Sequence, residues 1–180
     1  FIDKLIGQAD RVYLQQLIQY QKILQQRNAL LKQMGRFAQN AHDTLSIYNE
    51  QLVQLGTPIH HARTSYLTAF EPLFQKRYAT ISRGNESASL AYESQLNDSD
   101  FTTLLEAATS KDLQTQFSTV GIHKDDLAFQ IDGYPIKKFG SQGQRKSFLI
   151  ALKLAQFDML KKSTAVTPLL LLDDIFDKLD

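Results

Sequence analysis

The sequence predicts an α+β fold in which a mostly helical lobe precedes a smaller region of mixed helices and strands. Two patterns predict this order. Apolar side chains recur at spacings of three and four through residues 11–80, which is the period of a helix face. Residues 119–180 instead combine glycine-containing turns with one alternating and one wholly apolar segment, which is typical of strands mixed with helices.

The helical lobe is predicted to cover residues 1–118 and to contain two long helices at about 11–34 and 43–80. Their apolar stripes follow a heptad pattern. Because only a short linker separates the helices, they are expected to form an antiparallel helical hairpin. Periodicity favours a hairpin that packs on its own core over a short coiled-coil arm, and both interpretations stay open.

Single residues mark the start and the interruptions of these helices. Asp10 stands in the N-cap position of the first helix, and Arg27 occupies one place in its otherwise apolar stripe. Gly56 and Pro58 fall inside the second stripe, so a kink or a short break is expected there.

Shorter elements are expected beyond the hairpin. The weak alternation of residues 88–96 predicts a strand, and Asp100 is placed to cap a helix that ends at Gly121. The dipeptide Asp132-Gly133 predicts the turn of a β-hairpin, because the residues before it alternate between apolar and polar.

Composition limits the functional classes. The 180 residues carry a formal net charge of +1, so any nucleic-acid contact must come from a local basic patch and not from the whole domain. The absence of cysteine excludes disulfides and thiolate zinc sites and fits a reducing cytosol. The longest apolar run, residues 166–172, is too short to span a bilayer, so no membrane association is expected. Because it starts at Phe1, the chain is expected to be an internal segment of a longer protein.

The strongest candidate for chemistry is an aliphatic segment that ends in two acids. Leu169–Leu172 is continuously apolar, which predicts a strand buried on both faces, and Asp173 and Asp174 follow at its carboxyl end. In nucleotide hydrolysis one such carboxylate holds magnesium and another polarises the attacking water. Taken alone, the same pattern is more often a strand that ends in a polar turn.

A second candidate is the loop that opens the predicted helix at residues 144–162. Residues 139–144 read Phe-Gly-Ser-Gln-Gly-Gln. Small residues at a helix N-terminus let backbone N–H groups approach an anion, and the Ser141 hydroxyl adds a donor. The alternative is an ordinary helix start with Ser141 as its N-cap.

The order of these two features resembles that of ABC-type ATPases. In that superfamily a signature loop is followed by a helix and then by the Walker B strand and its acids. Residues 177–180 stand where those proteins carry the D-loop of the dimer interface. Residues 119–180 therefore resemble the C-terminal half of an ABC head. Residues 140–147 superficially echo a Walker A loop, but Arg145 replaces its required glycine, so no Walker A loop is expected.

Within that superfamily the chain is similar to the RecF family of DNA repair proteins. Residues 121–127, Gly-Ile-His-Lys-Asp-Asp-Leu, resemble the family's Gly-Pro-His-Arg-Asp-Asp-Leu element, and residues 139–144 resemble its version of the signature. Two departures are Ile122 in place of proline and Lys124 in place of arginine, which keeps the charge and loses the bidentate fork.

The resemblance implies residue roles. The signature segment would contact ATP held by a second subunit, Asp173 would hold magnesium, and Asp174 would act as general base. The nucleotide-binding residues would be Ser141, Gln142, Gly143 and Gln144, and the dimer interface would include Asp177, Leu179 and Asp180. Residues that could contact DNA or phosphate are His123, Lys124, Lys137, Lys138, Arg145 and Lys146.

The resemblance also implies a function. Members of the RecF family are cytoplasmic ATPases of DNA replication, recombination, repair and the SOS response. They bind single-strand/double-strand junctions without sequence preference, form ATP-dependent homodimers and act with RecO and RecR. Without a Walker A loop, the chain alone is expected not to hydrolyse ATP. The alternatives are a helical interaction module and a head fragment of another SMC-type ATPase.

Overall fold

The computed structural model describes residues 1–34, 41–163 and 168–171. These residues form six α-helices and three strands. The helices are α1 Ile2–Ala9, α2 Arg11–Met34, α3 Ala41–Ile81, α4 Phe101–Thr115, α5 Ile136–Phe139 and α6 Gln142–Ser163. The strands are β1 Ala88–Glu93, β2 Asp126–Ile131 and β3 Tyr134–Pro135. This mixture of helices with a small sheet confirms the predicted fold class.

The chain divides into two compact units. The first unit contains residues 1–64 and 93–126, and the second unit contains residues 65–92 and 127–180. Helix α3 contributes to both units. These units are defined by contacts within the chain, and the predicted boundary between a helical lobe and an ABC-head half at residues 118 and 119 stays a prediction.

Helix α2 begins and ends as the sequence predicts. The Asp10 carboxylate accepts hydrogen bonds from the backbone N–H groups of Val12 and Tyr13, at 2.8 and 3.0 Å. It thereby satisfies two of the donors that the first turn of a helix leaves without intrahelical acceptors. The predicted N-cap is confirmed.

Helix α3 runs through Gly56 and Pro58 without a break, so the predicted short break is wrong. A Cβ atom on Gly56 would lie 2.6 Å from Cε1 of Phe101 and 3.2 Å from Cε2 of Tyr20. Glycine is present here because two buried rings press against the helix backbone. The packing that surrounds the helix stabilises it across two residues of low helix propensity.

Helix α4 begins at its predicted cap and ends earlier than predicted. Asp100 accepts from the N–H of Thr103 at 3.2 Å, and the helix ends at Thr115, where Gln116 adopts a left-handed conformation with φ of 60°. The predicted end at Gly121 is wrong. Gly121 has φ of 119° and a Cβ there would lie 2.7 Å from the Tyr20 hydroxyl, so glycine serves close packing in the first unit.

The three strands form one sheet in the order β1-β2-β3. Strands β2 and β3 pair antiparallel, with Gln130 opposite Pro135 and Ile131 opposite Tyr134. Asp132 and Gly133 both have positive φ, of 50° and 80°, as a tight hairpin turn requires. The predicted hairpin is confirmed.

The predicted strand at residues 169–172 is not present in the part of it that the structure describes. Residues 168–171 have no regular secondary structure, and Leu169 and Leu171 are 93% and 92% exposed. A strand buried on both faces lies inside a sheet, with hydrogen-bonded strands at its edges and helices packed on its faces. The described sheet, which consists of β1, β2 and β3, provides no such strand. Among the described residues, no helix has the length and apolar character needed to cross a membrane.

Candidate functional site

The signature loop forms a complete capping box at the start of α6. The Ser141 Oγ accepts a hydrogen bond from the Gln144 N–H at 3.1 Å, and the Gln144 Oε1 accepts one from the Ser141 N–H at 2.8 Å. This reciprocal pair is the Ser-x-x-Gln form of the motif that begins many helices. Ser141 is therefore the N-cap of a 22-residue helix.

The same loop presents unused hydrogen-bond donors to solvent. Ser141, Gln142 and Gly143 are exposed. The N–H groups of Gln142 and Gly143 lie in the first turn of α6, so they have no acceptor within the helix. The Ser141 hydroxyl accepts in the capping box, so its proton stays available to donate. Together these groups form a small anion-binding surface at the positive end of the helix dipole.

Gln144 connects this loop to the rest of the second unit. Its Nε2 donates to Glu86 at 2.8 Å, and the other oxygen of Glu86 accepts from the Tyr78 hydroxyl at 2.6 Å. Burial and the neighbouring Glu86 raise the pKa of Tyr78, which keeps this phenol protonated as a donor. The Gln144 amide uses both its oxygen and its nitrogen in hydrogen bonds, so this side chain holds the loop in a fixed position.

Two glycines of the loop differ in the space around them. A Cβ on Gly140 would lie 2.6 Å from both the carbonyl oxygen and Cγ1 of Ile136. At Gly143 the nearest atom would be the Ser141 Oγ, at 4.0 Å. Gly140 is thus required by the tight turn between α5 and α6, whereas Gly143 leaves open space in front of the helix N-terminus.

Helix α6 is held in the second unit by aromatic packing. The buried Phe148 ring lies 4.7 Å from Phe74, 5.5 Å from Phe129 and 5.9 Å from Tyr78, measured between ring centroids. These contacts join the helix that carries the signature loop to α3 and to the sheet. They fix the direction in which the helix N-terminus points.

An ion pair between α3 and α6 adds to this packing. Arg77 donates to both oxygens of Asp158 at 2.6 Å. The Arg77 guanidinium lowers the pKa of Asp158, so the pair stays charged well into the acidic range.

The basic residues predicted to contact DNA beside the loop are exposed or partly exposed. Lys137 and Lys138 lie on α5 with exposed side chains, and the Lys138 Nζ lies 5.1 Å from the centroid of the Phe139 ring. Arg145 is exposed and donates through Nη2 to the Lys137 carbonyl at 3.3 Å. Lys146 is partly buried. The first three present their charges to solvent near the loop.

In the first unit, Arg63 fixes residues 121–127. Its Nη1 donates to the Ile122 carbonyl and to the Asp125 carboxylate, both at 2.8 Å. Its Nε and Nη2 donate to the two oxygens of Asp3 at 2.9 and 3.0 Å. The Tyr13 hydroxyl also donates to Asp3. The family-like segment is therefore held by a buried arginine that binds two carboxylates.

His123 has both ring nitrogens engaged within the first unit. Nδ1 lies 3.2 Å from the Tyr20 hydroxyl, and Nε2 lies 3.1 Å from the Ser118 carbonyl. A neutral ring that accepts at Nδ1 and donates from Nε2 satisfies both contacts. Burial lowers the pKa of His123, which favours this neutral form. The geometry thus favours a structural role, whereas Lys124 is exposed with its Nζ 5.2 Å from the Phe117 centroid.

Sequence reasoning missed a buried polar cluster around Arg27. This residue is 0% exposed and donates through Nη1 to Asp112 and Ser118, both at 2.7 Å, and through Nε to Asn49 at 2.7 Å. Asp112 also accepts from the Thr119 N–H at 2.8 Å. A charged residue inside an apolar stripe is the signal that predicts a buried ion pair, but it does not identify the partner.

The predicted acids and the dimer-interface residues lie outside the described residues. This applies to Asp173, Asp174, Asp177, Leu179 and Asp180. Over residues 1–34, 41–163 and 168–171, no group of three or more histidine or acidic side chains is placed to hold a metal ion. The roles of the acids remain predictions from sequence.

Comparison with known proteins identifies relatives of the whole chain. No protein-family model matches it. All 180 residues align with the DNA replication and repair protein RecF of Flavobacterium johnsoniae at 55% identity and with that of Cytophaga hutchinsonii at 45%. The chain spans 50% and 48% of these relatives, or about half of their length.

Solved structures show the same relationship. The fold matches a structure of the recombination mediator protein RecF with ATP in the RecFOR pathway at a TM-score of 0.90 and 31% identity. The match covers 99% of this chain and 50% of that one. A structure of RecF with ATPγS matches with a TM-score of 0.89 and 30% identity. The predicted resemblance in sequence and fold is confirmed.

Proposed function

We propose, from the similarity of all 180 residues to RecF proteins, that the chain supplies one half of an ATP site shared between two subunits. The observation that carries the proposal is the exposed signature loop at the N-terminus of α6, with unused donors at Ser141, Gln142 and Gly143. A terminal phosphate of a nucleotide held by a second copy is the anion that such a surface suits.

Each residue of the loop has a distinct part in this proposal. The Ser141 hydroxyl and the N–H groups of Gln142 and Gly143 donate to the phosphate oxygens. Gln144 holds the loop in position through Ser141 and Glu86. The open space at Gly143 lets the anion approach the backbone closely.

The acids beyond the described residues complete the proposed site. Asp173 would hold magnesium, which neutralises phosphate charge, and Asp174 would accept the proton of the attacking water. Asp177, Leu179 and Asp180 would align two copies in an ATP-dependent homodimer. The support is their spacing from the signature loop and the relatedness of the chain to RecF.

DNA is the proposed macromolecular partner. Over the second unit, residues 65–92 and 127–180, eleven Lys or Arg residues stand against eight Asp or Glu residues, a formal net charge of +3, and residues 133–157 within it carry five Lys or Arg residues and no acid. This is the local basic field that the whole-chain charge of +1 conceals. In the second unit, Lys137, Lys138, Arg145 and Lys146 would bind phosphates near the loop. Lys124 is a separate proposed phosphate contact in the first unit.

The proposed cellular role follows from the relatives. Two are named DNA replication and repair protein, and the solved neighbours belong to the RecFOR pathway. We therefore propose action in the cytoplasm at single-strand/double-strand junctions of gapped DNA, together with RecO and RecR. Recognition would be independent of base sequence, because phosphate contacts carry no sequence information.

The experiment that tests the ATPase proposal reconstitutes the shared site. The chain is mixed with the part of Flavobacterium johnsoniae RecF that it does not cover, and magnesium-dependent ATP turnover is measured. The proposal predicts turnover in the mixture, little turnover by the chain alone, and none with Asp174→Asn. Asp43→Asn, which alters an exposed acid in the first turn of α3, is the matched control.

A helical interaction module is the second candidate function. The observation that favours it is the completed capping box, because a helix start alone explains both Ser141 and Gln144. This candidate predicts that the mixture folds and that Asp174→Asn changes nothing. Turnover that the variant abolishes excludes it.

A further inference from the structure

Two aromatic rings stand exposed on the hairpin that precedes the signature loop. The side chain of Tyr134 is 64% exposed and that of Phe139 is 60% exposed. The rings contact each other edge to face, with centroids 6.0 Å apart and planes at 73°. We call this pair the aromatic platform. The contact holds the rings together and leaves much of their surface in water.

The backbone beneath the aromatic platform is firmly held. Tyr134 pairs with Ile131 in the hairpin. The Ser87 N–H donates to the Asp132 carboxylate at 2.8 Å, while the Asp132 N–H donates to the Ser87 carbonyl at 2.8 Å. Ile136, between the two rings in sequence, is buried. The platform therefore stands on a fixed turn, so little order has to be gained when a ligand binds.

The surroundings of the aromatic platform are basic. Lys137 and Lys138 lie between the rings in sequence, and the Lys138 Nζ lies 5.1 Å from the Phe139 centroid. Arg145 reaches the Lys137 carbonyl. Residues 133–157 contain five Lys or Arg residues and no acid. A ligand that carries both phosphates and flat rings could therefore contact basic side chains and aromatic rings at the same place.

We infer that Tyr134 and Phe139 stack on unpaired bases of single-stranded DNA while Lys137 and Lys138 bind the neighbouring phosphates. The inference rests on the DNA-binding part of the proposed function. It assigns the aromatic platform as the surface that binds the single-stranded side of a junction. Stacking on aromatic side chains beside a basic groove is the usual way in which single strands are bound without sequence preference. Aromatic residues are enriched at protein interfaces but lysine is depleted from their cores, so the two lysines beside the rings favour DNA over a protein partner.

Ring-preserving and ring-removing variants test the inference. Binding of the 180-residue chain to a short oligothymidylate is measured by fluorescence anisotropy at about 50 mM salt, because phosphate contacts weaken as the salt concentration rises. Tyr134→Leu and Phe139→Leu keep an apolar side chain and should each weaken binding about tenfold. Tyr134→Phe and Phe139→Tyr keep the ring and should bind as the unaltered chain does. Lys138→Gln should lower the salt dependence of binding.

A direct spectroscopic readout is available because the chain contains no tryptophan. Phe139→Trp places a single reporter in the aromatic platform, and stacking of a base on it should quench its fluorescence. The expected result is quenching by oligothymidylate that duplex DNA of equal length does not reproduce.

The outcomes distinguish failure of the inference from failure of the proposed function. If the chain binds oligothymidylate but the leucine variants bind equally well and Phe139→Trp is not quenched, the aromatic platform is not a base-stacking surface. If the leucine variants instead lose only association with the complementary RecF half, the platform belongs to a protein interface and the inference is overturned. If the unaltered chain binds no DNA at low salt, both the inference and the DNA-binding part of the proposed function are wrong.

Discussion

Substitutions of Ser141 separate its role as a helix cap from its proposed role as a phosphate ligand. Ser141→Ala removes the oxygen that accepts from the Gln144 N–H at 3.1 Å, while the bond from the Ser141 N–H to Gln144 can remain. Loss of an N-cap costs about 0.5–2 kcal/mol, and the remaining bond places this loss near the lower end. Ser141→Asp keeps an acceptor and adds a negative charge at the helix N-terminus, so its stability should equal that of the unaltered chain within about 0.5 kcal/mol.

Phosphate binding should respond in the opposite order to these two substitutions. A carboxylate about 4 Å from a phosphate oxygen at an effective dielectric constant near 20 is repelled by about 4 kcal/mol, or roughly a thousandfold in affinity. Urea unfolding measures the stability of each variant. Sedimentation with the complementary RecF half, with and without ATP, measures nucleotide-dependent association. A Ser141→Asp chain that associates as tightly as the unaltered chain would refute the phosphate role and leave Ser141 as a cap only.

Three further predictions concern the framework that supports the site, and each is measured by urea unfolding. Arg27→Ala leaves the fully buried Asp112 without its partner and should lower the free energy of unfolding by about 3–5 kcal/mol; an unchanged midpoint would contradict the buried-pair account. Gly56→Ala should lower the free energy of unfolding by about 1–3 kcal/mol, because the added Cβ would lie 2.6 Å from the Phe101 ring. A gain in stability would show that the ring can move aside. Burial lowers the pKa of His123 below its usual 6.5, so the unfolded chain binds more protons and stability should fall as pH drops below about 6.5. His123→Asn should reduce this fall, and an identical pH profile would contradict it.

Local patterns predicted the long helices because the causes of those helices are local. The period of apolar residues and the Asp10 cap defined the bounds of α2. The dipeptide Asp132-Gly133, in which both residues have positive φ, defined the hairpin turn. A kink or a short break was expected at Gly56 and Pro58, and the break is absent for a reason distant in sequence. Phe101 packs against that point of α3, and no local pattern reveals it.

The same distinction applies to the site. The Ser-x-x-Gln spacing of Ser141 and Gln144 was enough to predict a capping box, although only the cap itself was expected. The tie from Gln144 to Glu86 joins residues 58 apart in sequence, and the Arg27–Asp112 pair joins residues 85 apart. The strand expected at residues 169–172 depends on neighbouring strands, which its own sequence cannot specify.

Hydrogen exchange over residues 140–145 tests the central claim most directly. The chain is mixed with the complementary RecF half, and exchange is compared without nucleotide, with ADP and with a slowly hydrolysed ATP analogue. The exposed N–H groups of Gln142 and Gly143 have no acceptor within α6, so they should exchange fast until the terminal phosphate binds them. Protection that appears with the ATP analogue, requires the second half and is absent with ADP is the predicted result. Equal exchange under all three conditions would contradict the claim that this loop binds the nucleotide of a second subunit.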